Sequence, residues 1–157
     1  GEAMFEIDND PLGDLATTLD ERDFFFINLE SPLGKYNNTP GEMNLCADPI
    51  QVDLLLQAGV DLATLSNNHQ DDCQPDGLQQ TADILTANSI LSSRPNFDPA
   101  YINTEGGVKI AVIAAEDVTG SLDETSLMSS IRAACENADL VIVSMHWGNE
   151  YQAGADA

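Results

Sequence analysis

Basic side chains are nearly missing from this chain: five Lys and Arg stand against 27 Asp and Glu over 157 residues, a formal charge of −22. Phosphate binding rests on Lys and Arg, so nucleic acid is not expected as a partner and attraction to an anionic membrane surface is disfavoured. The same imbalance is the pattern of a protein working at high salt, where screening removes the self-repulsion. An acidic secreted or surface protein is the other class it fits. Long apolar runs are missing too. None approaches the roughly 18 residues that span a bilayer, and the opening GEAMFEIDND has neither the basic region nor the apolar core of a signal peptide. The chain reads as soluble, with no membrane segment of its own. Cysteine is scarce and odd in number. Cys46, Cys73 and Cys135 are widely spaced, which indicates neither a disulfide framework nor a CxxC metal knuckle, and buried thiols are expected. Histidine is scarcer still, with only His69 and His146.

What is present suffices for one domain over residues 1–157, since 43% of the chain is hydrophobic. Residues 1–10 read as a loop, and Pro11 to Leu19 as a short helix. DFFFINL at 23–29 is a continuous aromatic and β-branched run of the kind buried on both faces, stopped by Ser31-Pro32. A polar loop follows from Gly34 to Met43. Asp48-Pro49-Ile50-Gln51 opens a helix with an Asp N-cap and Pro at the first helical position, and Gly59 stops it. Val60 to Ser66 is the next strand, Pro75 to Asn88 the next helix, and Ile90-Leu91 a short strand. Tyr101–Thr104 and Val108–Ala114 flank Glu105-Gly106-Gly107 as a β-hairpin. Ser121 with Glu124 forms a capping box for a helix running to Ala138. LVIVSM at 140–145 is a third apolar strand. Strands alternating with helices predict an α/β fold with a largely parallel sheet and flanking helices.

Three apolar strands thus end in polar groups: Asn28 and Glu30, then Asn67, Asn68 and His69, then His146 and Glu150. In a parallel sheet with right-handed crossovers those ends share one edge, so the groups should converge. Imidazole, carboxylate and carboxamide without thiolate suit Mn, Fe or Zn, and two such ions about 3.5 to 4 Å apart would activate water and neutralise phosphoryl charge. Taken singly, each element has a plainer explanation, as a hydrogen-bonded structural histidine or a loop cap; three coincidences favour a site. Asp72, Gln74, Asp76, Gly77 and Asp83 fall at EF-hand positions, but a strand precedes them and Pro75 interrupts the loop, so calcium is not expected there.

NLESPL at 28–33, GVDLATLSNNHQDD at 59–72 followed by DGLQQT at 76–81, and VIVSMHWGNEY at 141–151 resemble the CapA-type capsule (poly-γ-glutamate) synthesis proteins of the calcineurin-like metallophosphoesterase superfamily. The resemblance implies a layered metallophosphoesterase-like sandwich, a divalent metal site with two ions in the intact protein, and a phosphoester or capsular polymer substrate. It implies Glu30, Asn68 and His146 as metal ligands and His69 as the catalytic residue beside the scissile phosphate. Asn28, Asn67, Asp72 and Glu150 would support them from behind. It also implies a place at the outer face of the cell. A non-catalytic subunit of a polymer-synthase complex, with a vestigial site, is the alternative. Gln74 stands where the family has Gly, the early Asp motif is not recognisable in Asp8, Asp10 or Asp14, and no closing GHxH-type motif follows. The stretch is accordingly expected to be a partial domain, truncated at both ends.

Overall fold

Apolar runs that look uninterrupted in the sequence divide their side chains between different cores. The computed structural model of the protein describes residues 22–35 and 44–148. The expected loop at 1–10, the helix at 11–19, most of the loop before Asn44, and Asp8, Asp10, Asp14 and Glu150 lie outside the described residues. The strands are β1 (Phe26–Asn28), β2 (Leu62–Thr64), β3 (Leu91–Ser93), β4 (Ala100–Asn103), β5 (Lys109–Glu116) and β6 (Leu140–His146). The helices are α1 (Val52–Ala58), α2 (Gly77–Ala87) and α3 (Glu124–Cys135).

The largely parallel sheet expected from the alternation of strands and helices is divided in two. One sheet has the order β1-β2-β3, all parallel; the other has the order β4-β5-β6, with β4 antiparallel to β5 and β6 parallel to it. Leu62, Ala100, Ile110 and Val112 form a core contributed by both sheets, with Phe26 and Ile142 against it. The opposite face of β2 packs Ala63 against Val52, Leu55 and Ala58 of α1 and Ala82 and Leu85 of α2. On the second sheet, Ala111, Ile113 and Ala115 pack against Leu127 and Ala134 of α3. The layers therefore run helix, sheet, sheet, helix. Period-two alternation is intact in β5, but both of its faces are covered, so all six residues Ile110–Ala115 are buried. Each large aliphatic side chain so buried contributes about 1.5 to 3 kcal/mol.

Two polar contacts tie the layers. The Ser93 hydroxyl accepts from the Ala114 amide at 2.7 Å and donates to the Asp98 carbonyl at 2.8 Å, and Thr64 and Ser144 hydroxyls meet at 3.4 Å across the sandwich.

Local signals mostly act as expected. Asp48 accepts from the Ile50 amide at 3.0 Å and Pro49 opens a short 3-10 turn that runs into α1. Gly59 ends α1 at φ +70, where a side chain would be strained. The hairpin forms between β4 and β5, closed by Thr104 N–H to Val108 O at 2.9 Å. Three expectations need correction. The cap of α3 is Asp123, not Ser121: its carboxylate sits three residues before Ser126 and accepts from that amide at 3.0 Å, so α3 starts later and stops at Cys135. Cys46 and Cys73 are joined in a disulfide rather than being buried thiols. Cys135 is a free thiol but an exposed one, because the buried stripe of α3 passes through Leu127 and Ala134 instead. Among the described residues no helix is long and apolar enough to cross a membrane.

Candidate functional site

At the rim where β1, β2 and β6 end, the chain leaves its apolar strands within one residue of a polar side chain. Asn28 closes β1 and His146 closes β6, and the turn after β2 carries Asn67, Asn68 and His69. The structure brings these groups together. His146 Nε2 lies 2.8 Å from Asn68 Oδ1 and 3.8 Å from Glu30 Oε1. Glu30 and His146 are partly open to solvent, at 39% and 23% side-chain exposure, which leaves them reachable.

Asn67 is the buried hub of this rim, 1% exposed. Its Nδ2 donates to Asn28 Oδ1 at 3.2 Å and to the Leu29 carbonyl at 3.0 Å, and its Oδ1 accepts from the His69 amide at 3.1 Å. With Asn28 Oδ1 turned toward Asn67, Asn28 Nδ2 faces His146 Nδ1 at 3.5 Å. That arrangement makes Nδ1 the acceptor and leaves Nε2–H to donate to Asn68 Oδ1. Asn28 and Asn67 thereby hold two things, the entry to the turn and the ring of His146.

His69 is bonded separately. Its Nδ1 meets Asp72 Oδ2 at 2.8 Å, and both side chains are mostly buried, at 12% and 18% exposure. The same carboxylate oxygen accepts from the Leu45 amide at 2.6 Å. Asp72 therefore fixes Nδ1 as the protonated nitrogen and leaves Nε2 as the one able to exchange a proton.

Glu116 is a rim residue that sequence reasoning missed. It ends β5 directly opposite His146 of β6. Its carboxylate accepts from the Val118 and Thr119 amides, at 2.8 and 3.1 Å, and from the Thr119 hydroxyl. Burial pushes this carboxyl up, but the bonds from Thr119 and Val118, with His146 nearby, outweigh it and hold the group below its ordinary value. Beside the cluster opens a cleft of about 330 Å³, lined by Ser66 and Gln70 next to the turn, by Glu116, and by Phe97 and Asp123.

Among the described residues no group of three or more His, Cys, Asp or Glu side chains gathers round one point. The trio Glu30, Asn68 and His146 includes a carboxamide, and its chemistry fits a divalent ion: one imidazole, one carboxylate and one amide oxygen, with no thiolate. The 2.8 Å separation of His146 and Asn68 is a direct hydrogen bond, which a bound ion would replace, and Glu30 stands 3.8 Å from the same ring nitrogen.

Comparison with known proteins agrees with this architecture. One solved structure, described as a hypothetical protein from Thermus thermophilus, shares the fold with a TM-score of 0.55 at 22% identity, over 86% of this chain and 50% of that one. The chain thus spans half the length of that protein. No curated protein matches it. The family described as bacterial capsule synthesis protein PGA_cap matches residues 6–157, nearly the whole chain. The chain belongs to this CapA-like, metallophosphatase-related family of capsule synthesis proteins.

Proposed function

We propose that this rim is a metal-dependent phosphoester hydrolysis site serving capsular polymer synthesis. The observation that carries the reading is the approach of Asn68 and Glu30, from two other strand ends, to within 3.8 Å of His146 Nε2, beside a mostly buried His69–Asp72 pair. Glu30, Asn68 and His146 would hold a divalent ion such as Mn, Fe or Zn in place of the Nε2 proton that His146 donates to Asn68, and such an ion when bound polarises a phosphoryl oxygen and supplies an activated water. His69, with Nδ1–H committed to Asp72, first takes a proton onto Nε2, the Asp72 carboxylate facing the imidazolium so formed, and then delivers that proton to the leaving oxygen. The cleft beside Glu116 receives the group esterified to the phosphate. The trio supplies donors for one ion, and a second would draw on residues beyond those described. An extracytoplasmic location agrees with the Cys46–Cys73 disulfide, since such bonds persist in oxidising compartments.

The test is Mn²⁺ titration followed by electron paramagnetic resonance, paired with hydrolysis of an aryl phosphodiester. His146→Ala and Glu30→Gln should weaken Mn²⁺ binding at least about tenfold. His69→Ala should leave binding intact and lower kcat by about 10² to 10⁴. Equal Mn²⁺ binding in all variants would refute the metal site. Binding without hydrolysis would instead support the alternative, a binding or assembly subunit of a polymer-synthase complex.

A further inference from the structure

The disulfide lies one residue from the chemistry. Asp72, which orients His69, immediately precedes Cys73; Leu45, whose amide donates to Asp72 Oδ2 at 2.6 Å, immediately precedes Cys46. Asn44, one residue further back, donates from Nδ2 to the Asp72 carbonyl at 2.7 Å and accepts the Cys46 amide on Oδ1 at 2.9 Å. Residues 44–46 belong to no helix or strand. On one side they rest on Asp72. On the other, Ala47 bonds to the Pro32 carbonyl and the Gly34 amide, at 2.8 and 3.0 Å. Cys73 is fully buried under this strap, and a Cβ on Gly34 would come within 2.9 Å of the Cys73 Cβ, so the segment after Glu30 is packed onto the bridge as well.

We infer that the Cys46–Cys73 disulfide is a positioning element for the His69–Asp72 pair, so that the proton-delivering histidine is set only when the bridge is closed. Closed, the bridge keeps the Leu45 amide beside Asp72 Oδ2, and that oxygen is held by two donors, Leu45 N–H and His69 Nδ1–H. Opened, the strap loses its covalent tie to residue 73, and its hold on Asp72 is reduced to hydrogen bonds from residues 44 and 45, which belong to no helix or strand and, among the described residues, are anchored only beyond, at Ala47. The carboxylate can then turn to water, and His69 loses the partner that selects its tautomer. His146 takes no part in these contacts; its ring is held by Asn28 and Asn68, so it stays in place. The functional meaning of the device rests on the phosphoesterase reading; its geometry does not.

The experiment compares the full chain oxidised, reduced and as the Cys46→Ala/Cys73→Ala double variant. A phosphine reductant opens the bridge: two electrons from phosphorus and two protons convert the disulfide into two thiols, and the phosphine takes oxygen from water. Imidazole tautomers are read by long-range ¹H–¹⁵N NMR, the His69 signals being those lost in His69→Gln, and Leu45 amide exchange is followed alongside. Oxidised protein should show His69 as a single Nδ1–H tautomer with a protected Leu45 amide. Both open forms should show a mixed His69 tautomer and at least about tenfold faster Leu45 exchange, with the His146 pattern unchanged. In Asp72→Ala the His69 pattern is already mixed, and reduction adds nothing. Unchanged His69 tautomer and Leu45 protection with both thiols titrating would overturn the inference. So would collapse of the His146 pattern as well, since the bridge would then be a general staple. None of these readouts needs metal or substrate, so a failure here is distinct from a failure of the phosphoesterase assay.

Discussion

Asn67→Asp is the substitution that tests the rim most directly, because it keeps shape while reversing the sense of two hydrogen bonds. Asn67 Nδ2 points at two acceptors, Asn28 Oδ1 and the Leu29 carbonyl, and the side chain is 1% exposed. A carboxyl there puts oxygen against oxygen. Protonated, it donates to one acceptor and forfeits the other, at a cost of about 1 to 2 kcal/mol. Ionised, it is a buried charge without a donor on that side. Burial raises such a carboxyl by about 2 to 3 pH units, and at 1.36 kcal/mol per unit this adds about 3 to 4 kcal/mol at neutral pH. The total, about 4 to 6 kcal/mol, is a large part of the 5 to 15 kcal/mol typical of a domain.

The pH dependence separates this account from simple loss of packing. The introduced group is raised in the folded state, so between about pH 4 and its folded value the native form retains a proton that the unfolded chain has released. Stability relative to the parent should therefore fall by about 1.4 kcal/mol per pH unit as pH rises through that window, then level off. Urea unfolding followed by circular dichroism at pH 5, 6, 7 and 8 measures it, with Asn67→Ala as a control whose deficit does not move with pH. An Asn67→Asp deficit that is flat from pH 5 to 8, or below about 1 kcal/mol at pH 8, would refute the assigned donor pattern.

Glu116→Gln should destabilise the protein at pH 7 and much less in acid. Glu116 is held below its ordinary 4.5 when folded, so its contribution is present above that value and lost as pH falls through the folded one; urea midpoints of the two proteins should converge below pH 4.5. Ser93→Ala removes the acceptor of the buried Ala114 amide and the donor to Asp98. An orphaned buried N–H and a lost bond cost about 2 to 3 kcal/mol, read as a fall in Tm of about 4 to 10 °C; a fall within about 1 °C would show that this contact does not tie the sheets.

The strand ends were legible because the transition from apolar to polar occurs within one residue, at Leu29–Glu30, Leu65–Ser66 and Met145–His146. The same rule applied to the run ending at Ala115 would have found Glu116. The disulfide was not legible: 27 positions separate Cys46 from Cys73, and what joins them is the fold of the strap over the turn, which no periodicity encodes. The cap of α3 was misplaced for a local reason. Ser121 and Glu124 satisfy a capping-box spacing, but Asp123 with Ser126 offers a charged acceptor to a helix amide, and charge-assisted bonds are the stronger kind.

The division into two sheets was hidden by burial itself. A strand covered by helices on one face and by a second sheet on the other has the same unbroken apolar run as a central strand in one parallel sheet, so hydropathy cannot distinguish them. The convergence of the site nevertheless did not depend on there being one sheet. It depended on β1, β2 and β6 all ending at the same rim. β1 and β2 do so because they are parallel neighbours. β6 does so across the sandwich, where Ser144 meets Thr64 two residues before His146 meets Asn28. Both pairs lie on side chains of like parity, residues 144 and 146 of one strand facing residue 64 and residue 28 of the other sheet. A one-residue slip of β6 would turn His146 toward α3 and bring Met145 into the rim, so the register that builds the inter-sheet core around Ile142 is also what aims the histidine.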